Sequence, residues 1–260
     1  PLTDELAGNP YLPKALQLDL ISHAASSMRD PDSKVDTLRL HYLLAFLLNN
    51  DAVGDEALLA ATDLALALGL RPAGVMQAAL LHHHNLPPEA IAKLDRELHG
   101  DEDWALKLLR KRRATPEQVD RALRFSYAHR PEIRNELRRI EAMQVDDYFS
   151  ALATAKNSEL REVAATNVAT PVSALLALLE DSDTTIAWDA ATHPSLPIAA
   201  RLQAVQRAPA GESYKYFELP AAQWDALATT LPTREKRIAA MAQAARMGER
   251  AMAQTAPALP

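Results

Sequence analysis

The residues that most suggest a chemical role are the arginines and lysines near the middle of the chain. Positions 107 to 139 hold 11 basic and four acidic residues, a local charge of +7 in a chain whose net charge is −6. Arg130, Arg134 and Arg138 are spaced four residues apart, which places them on one face of a predicted helix. Guanidinium groups bind phosphate oxygens through paired hydrogen bonds. The pattern therefore predicts a surface that binds a polyanion.

The candidate polyanion-binding residues are Arg110, Lys111, Arg112, Arg113, Arg121, Arg124, Arg130, Arg134, Arg138 and Arg139. A structural explanation stands beside this one. The basic run 107–113 ends a predicted helix that begins with the acidic run 101–103, and such an arrangement complements the helix dipole. A solvated or partner-facing charged face is the alternative that remains open.

Other residue types give weaker indications of chemistry. Three consecutive histidines, 82–84, point in directions about 100° apart on a helix and cannot all ligate one ion. With zero cysteines, disulfides, thiolate metal sites and a cysteine nucleophile are excluded. Seven glycines and no P-loop or G-x-S-x-G motif argue against common nucleotide-binding and hydrolase sites. The sequence predicts no catalytic residue, no metal and no cofactor.

Two Trp–Asp pairs, Trp188-Asp189 and Trp224-Asp225, bring an aromatic ring next to a carboxylate. They resemble, in residue type only, the aromatic and acidic residues that HEAT-like alkylpurine glycosylases place beside DNA. A tryptophan inside an alanine-rich helix is more often a large core residue. A glycosylase-like repair enzyme is therefore kept as a minor alternative.

The elements that must position these residues are predicted to be short helices. Few β-branched residues occur beside abundant Ala and Leu, and 17 prolines recur where apolar runs begin, a position that suits the first turn of a helix. Thr115 and Gln118 have the spacing of a capping box. Gly69 and Gly100 are expected as left-handed residues after helix ends. Because Leu40–Leu48 is apolar on nearly every side, we expect neighbours to cover both faces of that helix.

An internal repeat indicates how the helices are arranged. The segment from Ala164 to Pro171 is echoed 26 residues later by the segment from Ala190 to Pro197, and a Leu-rich helix and an acidic turn lie between them. Residues 159–208 resemble the leucine-rich repeat variant, a relative of HEAT and armadillo repeats, with Asn167 and His193 at the corner positions. The resemblance implies a right-handed α-solenoid, a superhelix of stacked helical hairpins, and brings no single activity with it.

These observations predict an all-α, right-handed, HEAT/armadillo-like solenoid with one helical-repeat domain over 1–250. It would comprise divergent hairpins at 1–157, repeats of the variant type at 158–208, capping helices at 218–248 and a flexible tail at 249–260. The favoured function is a non-enzymatic scaffold that binds a protein partner on its curved face. The alternative is a DNA-binding solenoid that grips phosphates with the arginines of 107–139. With no signal peptide or membrane span visible in the sequence, we expect a cytoplasmic protein; its oligomeric state is left open.

Overall fold

The computed structural model describes residues 9, 12–29, 36–50, 52–70, 74–142, 147–207, 219 and 221–255. Within these ranges the chain forms fifteen α-helices and no β-strand, which confirms the predicted all-α class. In the same ranges, no helix combines the length and the apolar character needed to cross a bilayer.

The helices have the following bounds. They are α1 (Lys14–Arg29), α2 (Thr37–Leu48), α3 (Asp55–Ala67), α4 (Val75–His82), α5 (Pro88–Glu97), α6 (Glu102–Leu108), α7 (Pro116–Ser126), α8 (Pro131–Ala142), α9 (Tyr148–Ala153), α10 (Ser158–Thr166), α11 (Val172–Leu178), α12 (Thr184–Thr192), α13 (Ile198–Arg207), α14 (Ala221–Thr230) and α15 (Arg234–Thr255).

Helix ends follow the local signals that the sequence offers. At the start of α7, Oγ1 of Thr115 accepts from the Gln118 amide at 3.3 Å, and Oε1 of Gln118 accepts from the Thr115 amide at 2.9 Å, which confirms the capping box. Gly69 and Gly100 follow α3 and α5 with φ of +78° and +85°. A side chain is disfavoured in this left-handed region, so glycine suits both positions.

The chain divides into two compact units. Unit 1 comprises the described residues of Pro1–Lys107 and Arg250–Pro260, and unit 2 comprises those of Leu108–Glu249. The sequence analysis predicts one domain over 1–250, whose segments meet near residues 157 and 208 and not near 107. That single domain remains a prediction.

In unit 1, the helices from α1 to α5 pack on their second neighbours in the chain. α1 packs against α2 and α3, α2 against α4, and α3 against α4 and α5. The core that these contacts enclose is aliphatic: Leu44, Leu47, Leu58, Leu64 and Leu80 are all fully buried. The packing therefore forms two rows, α1–α3–α5 and α2–α4.

In unit 2, the same pattern returns around α10. α9 packs against α8, α10 and α11, α10 against α11 and α12, and α12 against α11 and α13. Toward the end of the unit, Trp224 is fully buried in a cluster with Val205, Leu219 and Leu231. A buried tryptophan in an aliphatic cluster is a packing residue, so the Trp224-Asp225 pair does not form a site with its ring exposed.

The turns before α7, α11 and α13 are joined by hydrogen bonds in unit 2. Nδ2 of Asn167 donates to the carbonyl of Ala114 at 2.9 Å, and the Val168 amide donates to the carbonyl of Arg112 at 2.8 Å. Nε2 of His193 then donates to the carbonyl of Asn167 at 2.8 Å. The two residues that the sequence placed at repeat corners thus link successive turns through their side chains.

Each corner side chain also stabilises its own turn. The Ala169 amide donates to Oδ1 of Asn167 at 2.9 Å, and the Ser195 amide donates to Nδ1 of His193 at 3.1 Å. In unit 1, Asn50 makes the same pair of contacts: its Oδ1 accepts from the Ala52 amide and its Nδ2 donates to the carbonyl of Asn9, each at 2.9 Å. Local turns of this kind are typical of asparagine.

Two sequence expectations differ from the structure. The face of α2 expected to be covered is not: Tyr42 and Phe46 are each 46% exposed, because α2 packs against α1 and α4 and its opposite side faces solvent. The segment expected to be a tail from 249 is helical as far as Thr255, because α15 continues through Gly248. Residues 256–260 lie outside the described part of the chain.

Candidate functional site

The predicted polyanion surface belongs to unit 2, and one of its members is not at the surface. Lys111 is only 2% exposed, so its ammonium group is not available to an external phosphate, and its inclusion among the candidates is corrected. It is buried because it begins the turn before α7, where the Ala114 amide donates to its carbonyl at 3.1 Å. Arg112, in the same turn, is half-buried.

Two arginines of the surface are each held by two carboxylates. Nε of Arg124 lies 2.7 Å from Oδ2 of Asp120, and its Nη2 lies 3.1 Å from Oε2 of Glu141. The hydrogen bond that Arg124 donates to Asp120 is the main reason why the pKa of Arg124 is raised above its usual value. A guanidinium group held in this way has fewer donors left for a phosphate oxygen.

Arg130 also pairs with two carboxylates and contacts an aromatic ring. Its guanidinium group pairs with Glu159 of α10 and lies 3.0 Å from Oε1 of Glu132. It also lies over the ring of Tyr127, 5.4 Å from the centroid, at a distance typical of a cation–π contact. The pairing with Glu159, followed by that with Glu132, raises the pKa of Arg130.

The remaining arginines differ in their surroundings. Nη2 of Arg139 lies 3.4 Å from Oε1 of Glu136, and Nη1 of Arg134 donates to the carbonyl of Ala128 at 3.3 Å. Arg110 and Arg121 are exposed and Arg113 is half-buried. Arg138 is exposed and forms no ion pair with another described residue.

The structure therefore neutralises three of the candidate arginines, Arg124, Arg130 and Arg139, with nearby carboxylates. Two of the acids that do so, Glu141 and Glu159, lie beyond the 107–139 window and were absent from its charge balance. The pairing of Arg124 with Asp120 did have a sequence signal: the two residues are four apart on one helix, a spacing that forms ion pairs. The pairing with Glu159 depends on packing and has no local signal.

A second group of charged side chains surrounds Asp189 on α12. The pKa of Asp189 is raised to about 6, chiefly by burial and then by the negative charge of Glu162 on α10, while Arg112 acts in the opposite direction. Burial likewise lowers the pKa of His193 below its usual value, which matches a neutral ring that accepts from Ser195 and donates to Asn167. Of the two aspartates that follow a tryptophan, Asp189 is therefore the one whose surroundings favour the protonated carboxyl.

The three histidines at the C-terminal end of α4 differ in their exposure. His82 and His84 are exposed, whereas His83 is buried and its Nδ1 accepts from the Asn85 amide at 3.2 Å. Across the described ranges, no three His, Asp or Glu side chains converge as metal ligands.

Unit 1 exposes two features that the sequence did not single out. One is a row of apolar side chains on α2, Leu38, Tyr42 and Phe46, which are 59%, 46% and 46% exposed. We call it the α2 stripe. Because its members are four residues apart, they lie on one face of the helix. The signal was visible in the sequence, but it was interpreted as a buried face.

The other feature is a shallow pocket lined by residues of α4 and α6 and of the turns after α3 and α5. Its walls include Leu70, Leu81 and Leu98, and Trp104 also lines it. Asp101 and Asp103 add two carboxylates. The cavity volume of the pocket is about 80 Å³, and its mouth is open to solvent.

Comparison with known proteins adds one relative. The chain is 26% identical over 201 residues to "Uncharacterized protein YdbD" of Escherichia coli (strain K12), an alignment that covers 76% of this chain and 26% of the relative. The chain thus spans about a quarter of the length of that relative. No protein-family model matches the chain, and no solved structure matches it.

Proposed function

We propose that this chain is a helical-repeat scaffold, of the α-solenoid type and similar to the leucine-rich repeat variant and HEAT/armadillo proteins, that binds a protein partner. Packing on the second neighbour, which runs from α1 to α5 in unit 1 and from α9 to α12 in unit 2, supports the repeat arrangement. The hydrogen-bonded corners at Asn167 and His193 support it independently, because equivalent positions of successive turns meet there.

The α2 stripe is the observation that carries a binding function. Single exposed apolar residues are common on protein surfaces, whereas a contiguous apolar row on one helix face marks an interaction site. Tyr42 and Phe46 are each 46% exposed, and aromatic side chains contribute strongly to binding when a partner covers them. Covering each large apolar side chain is worth about 1–2 kcal/mol at about 25 cal/mol per Å².

The form of the stripe favours a helical partner. Leu38, Tyr42 and Phe46 extend over two turns of α2, or about 12 Å at about 1.5 Å per residue. An amphipathic helix with apolar residues three or four positions apart presents a matching row. The partner surface is therefore proposed to be an amphipathic helix that lies along α2.

Photo-crosslinking tests this proposal directly. p-Benzoylphenylalanine is placed at position 42, where it replaces a tyrosine of similar shape, and at position 16 as the control. Leu16 is a 39% exposed apolar residue of α1, outside the stripe. In the cells that produce the protein, we expect a discrete adduct with one polypeptide from position 42 alone. The absence of an adduct, or the same adducts from both positions, would contradict the proposal.

Nucleic-acid binding is the second candidate, and the exposed face of α8 is what favours it. Arg134 and Arg138 lie one turn apart there, and neither pairs with a carboxylate of another described residue. A band-shift titration at two salt concentrations tests it, because phosphate contacts weaken steeply as salt increases. The variant Arg134→Glu/Arg138→Glu should abolish the shift. The variant Glu132→Lys/Glu141→Lys, which adds positive charge to the same region, is the control and should keep it. The absence of any shift at low salt would eliminate this candidate.

A further inference from the structure

The pocket of unit 1 has a chemical character that neither the scaffold nor the α2 stripe explains. Leu70, Leu81 and Leu98 give it apolar walls, and Trp104, which is only 3% exposed, also lines it. Its cavity volume of about 80 Å³ is far below the roughly 300–1,000 Å³ of pockets that enclose a nucleotide or a large cofactor, so the pocket suits a single side chain.

The pocket is held in shape by local hydrogen bonds. Gly100 reverses the chain in the left-handed region after α5, and Asp101 then begins α6 by accepting the Trp104 amide on Oδ1 at 2.8 Å. The indole Nε1 of Trp104 donates to Oδ1 of Asp95 on α5 at 3.2 Å. The tryptophan is thus fixed at both its backbone and its ring, so the pocket exists before any ligand arrives.

The charges of the pocket favour a single cation. Asp103 is engaged, because it pairs with Lys107 of the same helix. Asp101 makes no ion pair with a described residue, and its Oδ2 forms no hydrogen bond within the described ranges. With two carboxylates against one ammonium group, the lining carries one negative charge in excess when His82 is neutral.

Apolar walls below a single negative charge match a lysine side chain. Lysine buries its four methylene groups along apolar surface while its ammonium group remains at a polar rim. Arginine fits less well, since its planar fork requires two parallel acceptors and Oδ1 of Asp101 is already occupied by the Trp104 amide. We propose that this pocket binds the side chain of a lysine that belongs to a protein partner, as a site additional to the α2 stripe.

The test is an NMR titration with Nα-acetyl-lysine N-methylamide as the probe. The chain has three tryptophans, and the Trp104→Phe variant identifies the indole signal of Trp104. That signal should shift saturably, with a dissociation constant of about 1 mM. The norleucine derivative, which lacks the charge, and the arginine derivative should each bind about 10-fold more weakly, a difference of about 1.4 kcal/mol.

Two variants and a control identify the group that binds the ammonium. Asp101→Asn should weaken binding about 10-fold while it keeps the helix cap, because asparagine caps helices as well as aspartate does. Lys107→Gln should strengthen binding two- to threefold, since it removes the competing positive charge, in about the range expected for one exposed ion pair. Asp19→Asn, an exposed change on α1, should have no effect.

Several outcomes would overturn the proposal. They are no shift of the Trp104 indole, equal binding of the norleucine derivative, and an affinity that Asp101→Asn leaves unchanged. Binding of n-butylammonium without binding of the lysine derivative would also overturn it, because the site would then accept a free amine. None of these results depends on the α2 stripe, so the site and the scaffold function fail separately.

Discussion

Arg124 and Arg130 of unit 2 are each held by two carboxylates, whereas Tyr42 and Phe46 of unit 1 remain about half exposed on one helix face. The basic region of unit 2 was expected to bind a polyanion, yet several of its arginines pair with carboxylates of the same chain. The apolar region was expected to be buried, yet it faces solvent. The comparison shows that the local density of charged or apolar residues in the sequence does not tell which side chains the fold leaves without a neighbour.

Among substitutions of polar residues, the largest expected effect lies in the corner network of unit 2. Asn167→Ala removes the donor to the Ala114 carbonyl and the acceptor of the Ala169 amide, at a side chain that is 2% exposed. We expect the free energy of unfolding to fall by about 2–3 kcal/mol, the cost of leaving buried polar groups unpaired. Chemical denaturation measures the change.

Asn135→Ala, an exposed substitution on α8, is the matched control and should change the stability by less than about 0.5 kcal/mol. Equal effects of the two substitutions would show that the corner hydrogen bonds do not stabilise unit 2.

A smaller effect of opposite sign is expected at Asp189. Because burial raises its pKa from 3.8 to about 6, the folded state favours the protonated carboxyl, and stability is lost as the pH rises through 6. Asp189→Asn removes this cost, so it should raise the free energy of unfolding by about 1 kcal/mol at pH 7.5, a value reduced for solvent screening. At pH 4 the two proteins should be nearly equal in stability.

Asp225→Asn is the control for that experiment, since Asp225 also follows a tryptophan but is exposed. Thermal unfolding between pH 4 and pH 8 gives the comparison. A stabilisation by Asp189→Asn that does not depend on pH would contradict the assigned role of the carboxyl charge.

The smallest effect on stability is expected at the α2 stripe. Tyr42→Gln/Phe46→Gln should change the free energy of unfolding by less than about 1 kcal/mol, because both side chains are already in contact with water and glutamine is a good helix former. On the opposite face of the same helix, Leu44→Ala should cost about 2–5 kcal/mol, because Leu44 is fully buried. A large loss of stability in the stripe variant would mean that the stripe supports the fold instead of binding a partner.

Local features of the fold could be predicted from the sequence. The capping box of Thr115 and the left-handed glycines depend only on neighbouring residues, and both are confirmed. Asn167 and His193 were placed at repeat corners, but the carbonyls that they bind, those of Ala114 and Asn167, lie 53 and 26 residues away in sequence. Their partners became visible only when the turns were placed side by side.

Features that depend on packing could not be predicted. The approach of Glu159 to Arg130 joins residues of α10 and of the turn before α8, and nothing in either segment specifies it. Lys111 reads as a surface residue in a basic run, but the fold buries it. The apolar run of α2 was interpreted as covered on both faces because periodicity indicates which residues are apolar, not which side lacks a neighbour.

The central claim is that the α2 stripe binds a protein partner, and the affinity of the polypeptide crosslinked at position 42 tests it most directly. Titration calorimetry of that purified partner compares the native chain, Tyr42→Gln/Phe46→Gln and the control Leu16→Gln. We predict that the stripe variant binds at least about 30-fold more weakly, a loss of about 2 kcal/mol, while the control binds normally. An unchanged affinity of the stripe variant would contradict the account.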